Sequence, residues 1–172
     1  MAHLSRMPPR AEGAMLFVVD ALNLFHGARN VYGRGARVDF KKLRDHVVGG
    51  RNYALVYGIA FVPELADGAG DGLQRAFHRL GYTQQSRVED FKLQVAQLER
   101  LTGYTHLAVA SSDTAFLPLC QVYRTTDRHV DIFAFPSGHL PLFTDVAQGI
   151  HLLQVDVLMG EFSTIAKLKE AP

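Results

Sequence analysis

Three carboxylates and one carboxamide stand where this sequence passes from strand-like segments into helical spacing. Asp20 and Asn23 follow the apolar run 15–19 in the order Asp-x-x-Asn. Asp113 closes Ser111-Ser112-Asp113, directly after the apolar run 106–110. Asp90 lies between a short polar segment and the next helical spacing. In a parallel sheet, residues at the carboxyl ends of neighbouring strands share one edge. Carboxylates gathered there repel one another, and a hard cation such as Mg²⁺, which takes oxygen ligands, relieves the repulsion. Each Asp taken alone suits a helix N-cap, where its side chain accepts from a free backbone N–H. All three at such junctions favour a shared acidic site.

Other chemistries lack their residues. There is no GxxxxGK[ST] phosphate loop, and Gly33-Arg34-Gly35 has neither the third glycine nor the preceding strand of a dinucleotide fingerprint. A haloacid-dehalogenase phosphatase needs a second Asp where Leu22 stands, and no GxSxG elbow surrounds Ser111 or Ser112. The eight histidines are scattered without an HExxH motif or a close ligand pair. His26, one helical turn beyond Asn23, reads as a solvated or core-edge residue. Cys120 shares an apolar stripe with Phe116, Leu119 and Tyr123 and reads as core; as the only cysteine it excludes an internal disulfide and a cysteine zinc framework.

The net charge of +1 conceals an uneven distribution. Arg29, Arg34, Arg37, Lys41, Lys42, Arg44 and Arg51 face only Asp39 and Asp45 across residues 29–51, a local excess of five positive charges. Such a segment can neutralise phosphates and release counterions, or it can be a solvated helix face with its loop. Tyr32, among these arginines, suits either base stacking or loop packing.

The elements that must position these residues alternate between strand and helix. Strands are expected over 15–19, 53–62, 106–110, 130–135 and 150–158, with a polar edge segment over 82–88. Helical spacing links Phe40, Leu43 and Val47, then Leu73, Ala76, Phe77 and Leu80, then residues 90–101, then Phe116, Leu119, Cys120 and Tyr123, with Pro118 in the first turn. Residues 145–148 read as a short helix, and 64–72 and 136–141 as loops. This alternation implies an α/β fold: a mainly parallel central sheet with helices on both faces. The chain has 172 residues, 48% apolar and 20% charged, a composition that excludes a disordered or fibrous chain and suits one domain. That domain is expected over 14–158, with a frayed tail at 1–13 and a helical tail at 159–172. No apolar run approaches the roughly 18 residues of a membrane span, and residues 1–13 lack the apolar stretch of a signal peptide. A cytoplasmic location is expected.

Several segments resemble one family. Phe17-Val-Val-Asp20-Ala-Leu-Asn23-Leu24 resembles the opening signature of NYN domains, the PIN-like ribonuclease-fold group that includes the LabA-like proteins. Val38-Asp39-Phe40-Lys-Lys-Leu43 and the apolar strand after it continue the likeness. His78-Arg-Leu80-Gly81-Tyr82 resembles the family's "RLGY" helix end, and Val130-Asp-Ile-Phe-Ala-Phe135 its "VxVxGF" strand. Ser111-Ser-Asp113-Thr-Ala115-Phe116-Leu-Pro118-Leu119 resembles "SGDSDFxPL", and Arg87-Val-Glu-Asp90-Phe-Lys-Leu-Gln-Val-Ala96 resembles "KGVDVxLAxD". The chain departs at two acidic positions, which are Ala96 and Ala115, and Ser112 replaces a glycine. Asp145 lies near a further acidic position.

The resemblance implies a three-layer PIN-like fold and metal-dependent hydrolysis of RNA phosphodiester bonds. Asp20, Asp90 and Asp113 would hold Mg²⁺ or Mn²⁺, and Asn23 would complete the catalytic set. Ser112 and Thr114 would hydrogen-bond the carboxylates. Arg29, Arg34, Arg37, Lys41 and Lys42 would hold RNA beside them. Because PIN-like domains often pair, a homodimer is an expected partner, as is a second protein. Ala96 and Ala115 open the alternative: a catalytically reduced domain that binds RNA or a protein without efficient cleavage.

Overall fold

A computed structural model describes residues 13–64, 70–101 and 103–160. The tails expected at 1–13 and 159–172 lie outside the described residues except for residues 13, 159 and 160, as does the part 65–69 of the expected loop. Among the described residues, six strands form one sheet: β1 (Ala14–Asp20), β2 (Leu55–Pro63), β3 (Thr83–Arg87), β4 (His106–Ala110), β5 (His129–Ala134) and β6 (Gly149–Leu152). Their order is β3-β2-β1-β4-β5-β6, and every pairing is parallel. The α/β fold is therefore as the alternation predicted, with a sheet that is wholly rather than mainly parallel.

The central run explains the layers. Residues 15–19 of β1 are all buried, as a strand covered on both faces requires. Met15, Phe17 and Val19 point into one core with Leu24, Leu43 and Phe77 from α1 (Ala21–Tyr32), α2 (Phe40–Val48) and α3 (Asp71–Arg79). Leu16 and Val18 point into the other, with Phe91, Val95 and Leu119 from α4 (Phe91–Ala96) and α5 (Leu117–Thr125). Cys120 is buried in that second core, where desolvation pushes its thiol up to about 12. Pro118 sits in the first turn of α5, where its missing N–H costs nothing. Among the described residues, no helix is long and apolar enough to cross a membrane.

Several local expectations need correction. The helix implied after Asp20 is α1, with Asp20 as its N-cap and Ala21, Leu24 and Ala28 as its buried stripe. The helix expected over 90–101 ends at Ala96 and continues as a 3-10 turn, Gln97–Arg100. Residues 144–146 form a turn instead of the helix expected at 145–148; a 3-10 helix, Leu140–Phe143, begins at the end of the expected loop and leads into it. The last strand stops at Leu152, and Val155–Val157 is a 3-10 turn leading to an antiparallel bridge between Val38 and Leu158. Pro141 and the short apolar spacings there suit tight turns better than a regular helix.

One glycine is fixed by close approach. A Cβ at Gly58 of β2 would stand 2.5 Å from Cδ1 of Tyr82, whose ring also meets Phe17 and Phe77 with centroids 5.9 and 5.2 Å away. The phenol of Tyr82 is buried, and its hydroxyl has no hydrogen-bond partner among the described residues. Burial without a partner costs a hydroxyl about 1 to 3 kcal/mol. Tyr82→Phe keeps the ring and removes that cost, so we expect its urea midpoint to rise, whereas Gly58→Ala lowers it by forcing the ring away.

Candidate functional site

The strand order reverses between β1 and β4: from β1 the sheet grows one way through β2 and β3, and the other way through β4, β5 and β6. At such a point the loops leaving the two strands diverge and open a crevice at the carboxyl edge. Asp20 ends β1 and Ser111–Asp113 follow β4, so the first and third expected carboxylates meet there.

Asp20 is fully buried. Its Oδ1 accepts from the Asn23 backbone N–H at 3.2 Å, which caps α1, and its Oδ2 accepts from the Ser111 hydroxyl at 3.2 Å. Ser111 Oγ in turn accepts from the Asp113 backbone N–H at 3.0 Å. Asp113 caps the following 3-10 turn through Ala115 N–H at 2.9 Å. The cap and the shared-site expectations thus describe the same two side chains.

The cation between them belongs to the chain. Arg87, the last residue of β3, donates through Nη1 to Asp20 Oδ1 at 3.3 Å and through Nη2 to Asp113 Oδ2 at 2.8 Å. Its guanidinium also lies 4.1 Å from the centroid of the Phe91 ring. The planar fork of arginine suits this bridging of two acids, and the ring face holds the third side. Burial still dominates Asp20: desolvation raises its pKa above 3.8, ahead of the lowering by Arg87 and the Asn23 N–H, with Asp113 adding a smaller upward push.

Asp90 does not join this pair. It is exposed, caps α4 by accepting from Leu93 N–H at 3.3 Å, and makes no hydrogen bond or ion pair with Asp20 or Asp113. Among the described residues, the three carboxylates do not form a group whose ligand atoms all lie within 4.8 Å of one another. Two carboxylates already bridged by a guanidinium are a poor fit for Mg²⁺ or Mn²⁺, which would have to displace Arg87. The two alanines are placed coherently: Ala96 and Ala115 line one small notch with Thr114, Lys92 and Pro118. Thr114 faces that notch and makes no hydrogen bond to the carboxylates.

Asn23 plays a different part from Asp20. Its Oδ1 accepts from the Ser112 backbone N–H at 3.0 Å and the Ser112 hydroxyl at 3.3 Å, tying α1 to the loop after β4. This leaves the Asn23 amide N–H groups without a partner among the described residues, on the wall of a polar cleft. Asn30, Ser112, Ser137, His26 and His139 line the same cleft, which holds about 410 Å³. His26 is exposed, as its reading as a solvated residue has it, and its side chain borders this cleft.

The basic segment is less available than its charge count suggests. Lys41 pairs with Asp45 at 2.7 Å, Lys42 donates to the Leu158 carbonyl at 2.9 Å, and Arg44 donates to the Leu80 carbonyl at 2.6 Å. Arg29 covers the Phe25 ring. Arg34 and Arg37 are exposed, without a side-chain partner among the described residues. Arg37 shares a cleft with Ala21 and Phe25 of the first turns of α1, so it stands near Asp20's edge of the sheet. Tyr32 packs edge-on against Phe135 at 6.2 Å, so it packs within the fold as the packing reading had it, but from the end of α1 rather than from a loop.

Sequence reasoning passed over Arg87 and Ser111. The signal for Arg87 was a cation closing a polar strand immediately before the acidic junction. Replacing it leaves a buried carboxylate without its counter-charge. We expect Arg87→Gln to cost about 3 kcal/mol at neutral pH, the low end for a buried pair because Arg87 and Asp113 are partly exposed. Without Arg87 the folded chain holds the Asp20 proton more tightly than the unfolded chain does, so stability is regained as pH falls toward 3.8. Urea unfolding at two pH values reads this: a loss that stays constant or grows on acidification contradicts the assignment.

No protein-family model matches the chain, and no curated protein does. Among solved structures, VPA0982 from Vibrio parahaemolyticus RIMD 2210633, a protein of unknown function, is similar at a TM-score of 0.68. The match covers 89% of this chain and 100% of that one at 15% identity. At that identity the likeness is one of fold, and it supports the compact α/β architecture described above.

Proposed function

We propose that this chain is a catalytically reduced PIN-like domain that binds RNA at its carboxyl edge and does not need a divalent metal to do so. The observation that carries this reading is Arg87, which spans Asp20 and Asp113 in the place a shared cation would take. Ala96 and Ala115, at positions where the resembled family carries acids, line a small notch together and add no carboxylate to this edge. The polar cleft beside Asn23 and Ser112 supplies neutral donors suited to a ribose or base, and exposed Arg34 and Arg37 supply charge for phosphates.

The nuclease reading keeps one observation in its favour. Asp20, Asn23 and Asp113 converge at the sheet's switch point, and Arg87 offsets only one of the two negative charges there. One experiment separates the readings. Labelled single-stranded and hairpin RNAs are incubated with the protein in Mg²⁺, Mn²⁺ or EDTA, and both retention and cutting are measured. We expect equal retention in EDTA and Mg²⁺, no cutting, and a salt slope that falls by about two on changing Arg34 and Arg37 to Ala. Metal-dependent cutting that disappears in both Asp20→Asn and Asp113→Asn establishes the nuclease instead. Absence of RNA retention under every condition removes RNA from the account.

A further inference from the structure

The opposite, amino edge of the sheet carries a second buried carboxylate. Asp131 is the third residue of β5 and lies in an otherwise apolar strand, with its side chain only 5% exposed. His129 precedes it by two residues and so shares its face, and His106 of β4 pairs with His129 in register. His151 approaches from β6. The Nε2 atoms of His129 and His106 stand 3.1 and 3.3 Å from Asp131 Oδ2, and Nε2 of His151 stands 3.0 Å from Oδ1. Three imidazoles, from three adjacent strands, thus turn the same nitrogen toward one carboxylate.

We infer that His106, His129 and Asp131 form a binding site for a divalent transition ion of the zinc class, with His151 holding the second carboxylate oxygen. Ligand atoms of His106, His129 and Asp131 all lie within 4.8 Å of one another. Metal bonds of about 2.0 to 2.1 Å at tetrahedral angles set neighbouring ligands about 3.3 Å apart, close to the two spacings on Oδ2. Those spacings exceed the roughly 2.7 to 2.9 Å of a charge-assisted hydrogen bond. Nitrogen-rich donors select zinc-like ions over Mg²⁺, which prefers oxygen.

Two features show that the sheet makes room for this arrangement. A Cβ at Gly149 would collide with Asp131 Oδ1 and stand 2.6 Å from His151 Nε2, so the glycine leaves the space in which the two meet. The Phe133 ring stacks on His151 with centroids 4.6 Å apart and fixes its plane. The His129 and His151 side chains are 39% and 42% exposed, which leaves an entry path from solvent. Arg51 Nη1 lies 3.4 Å from His106 Nε2 and 3.8 Å from Asp131 Oδ2, on a half-exposed side chain that an incoming cation would repel outward.

The test titrates Zn²⁺ into the full chain, prepared without a histidine tag, by calorimetry and thermal melting, with Mg²⁺ as control. Co²⁺ is then used as a probe of tetrahedral coordination through its visible absorption. The expected result is one Zn²⁺ per chain, no effect of equimolar Mg²⁺, and affinity at least tenfold weaker in His106→Gln and His129→Gln. Both exchanges keep a polar side chain and leave the buried Asp131 in place. Equal Zn²⁺ affinity in the wild type and both glutamine variants overturns the site, as does no Zn²⁺ binding by the wild type. Because the site lies at the opposite edge from Asp20, neither result depends on whether RNA binds.

Discussion

A parallel sheet covered on both faces leaves its chemistry only two places to go. The strands of this protein are apolar on both sides through their middle, because helices cover both faces. Polar side chains that reach inward can do so only near the strand ends, and each end of this sheet holds one buried aspartate. Asp20 lies at the carboxyl edge and Asp131 toward the amino edge. Neither can remain charged there without compensation, since desolvation disfavours the ionised form of each. The surroundings of both sites follow from that demand.

The two edges meet it with different chemistry. At the carboxyl edge a guanidinium, permanently charged, braces two acids, while a serine and a helix N–H hold the remaining lone pairs. Asp20 stays raised even so. At the amino edge three imidazoles surround one acid: burial pushes Asp131 up, yet hydrogen bonds from His106 and His151 and the charge of His129 and His151 draw it below the usual carboxylate range. A fixed cation suits a structural brace; imidazole nitrogens can exchange a proton for a metal.

Much of this architecture was legible in the chain. The apolar runs, Pro118 at a helix start, and the placing of Asp20 and Asp113 after neighbouring strands sufficed for the fold and for half of the acidic edge. The meeting of Asp20 with Asp113 depends on β4 lying beside β1, which the alternation of elements suggested without fixing strand order. Asp90 illustrates the limit: its position at a strand-to-helix junction was right, but β3 lies two strands from β1, and the side chain turns outward to cap its own helix. Arg87 came from the same junction and reached inward instead. The histidines looked scattered because His106, His129 and His151 come together only through parallel register across three strands. The inward Asp131 in a run of apolar residues was the one clue that something waited for it.

Arg87 has a mechanical consequence beyond charge. The strand that ends in it, Thr83–Arg87, is short, polar and bonded along one side only, as outermost strands often are to discourage pairing with other chains. Such strands are where a sheet begins to fray. Here the guanidinium reaches past β2 to grip Asp20 at the end of β1 and Asp113 in the loop after β4, so it staples the outermost strand to the centre of the sheet. Peeling that strand away therefore strips the buried Asp20 of its counter-charge at the same moment, so fraying at the sheet's margin and uncovering its central carboxylate are a single event.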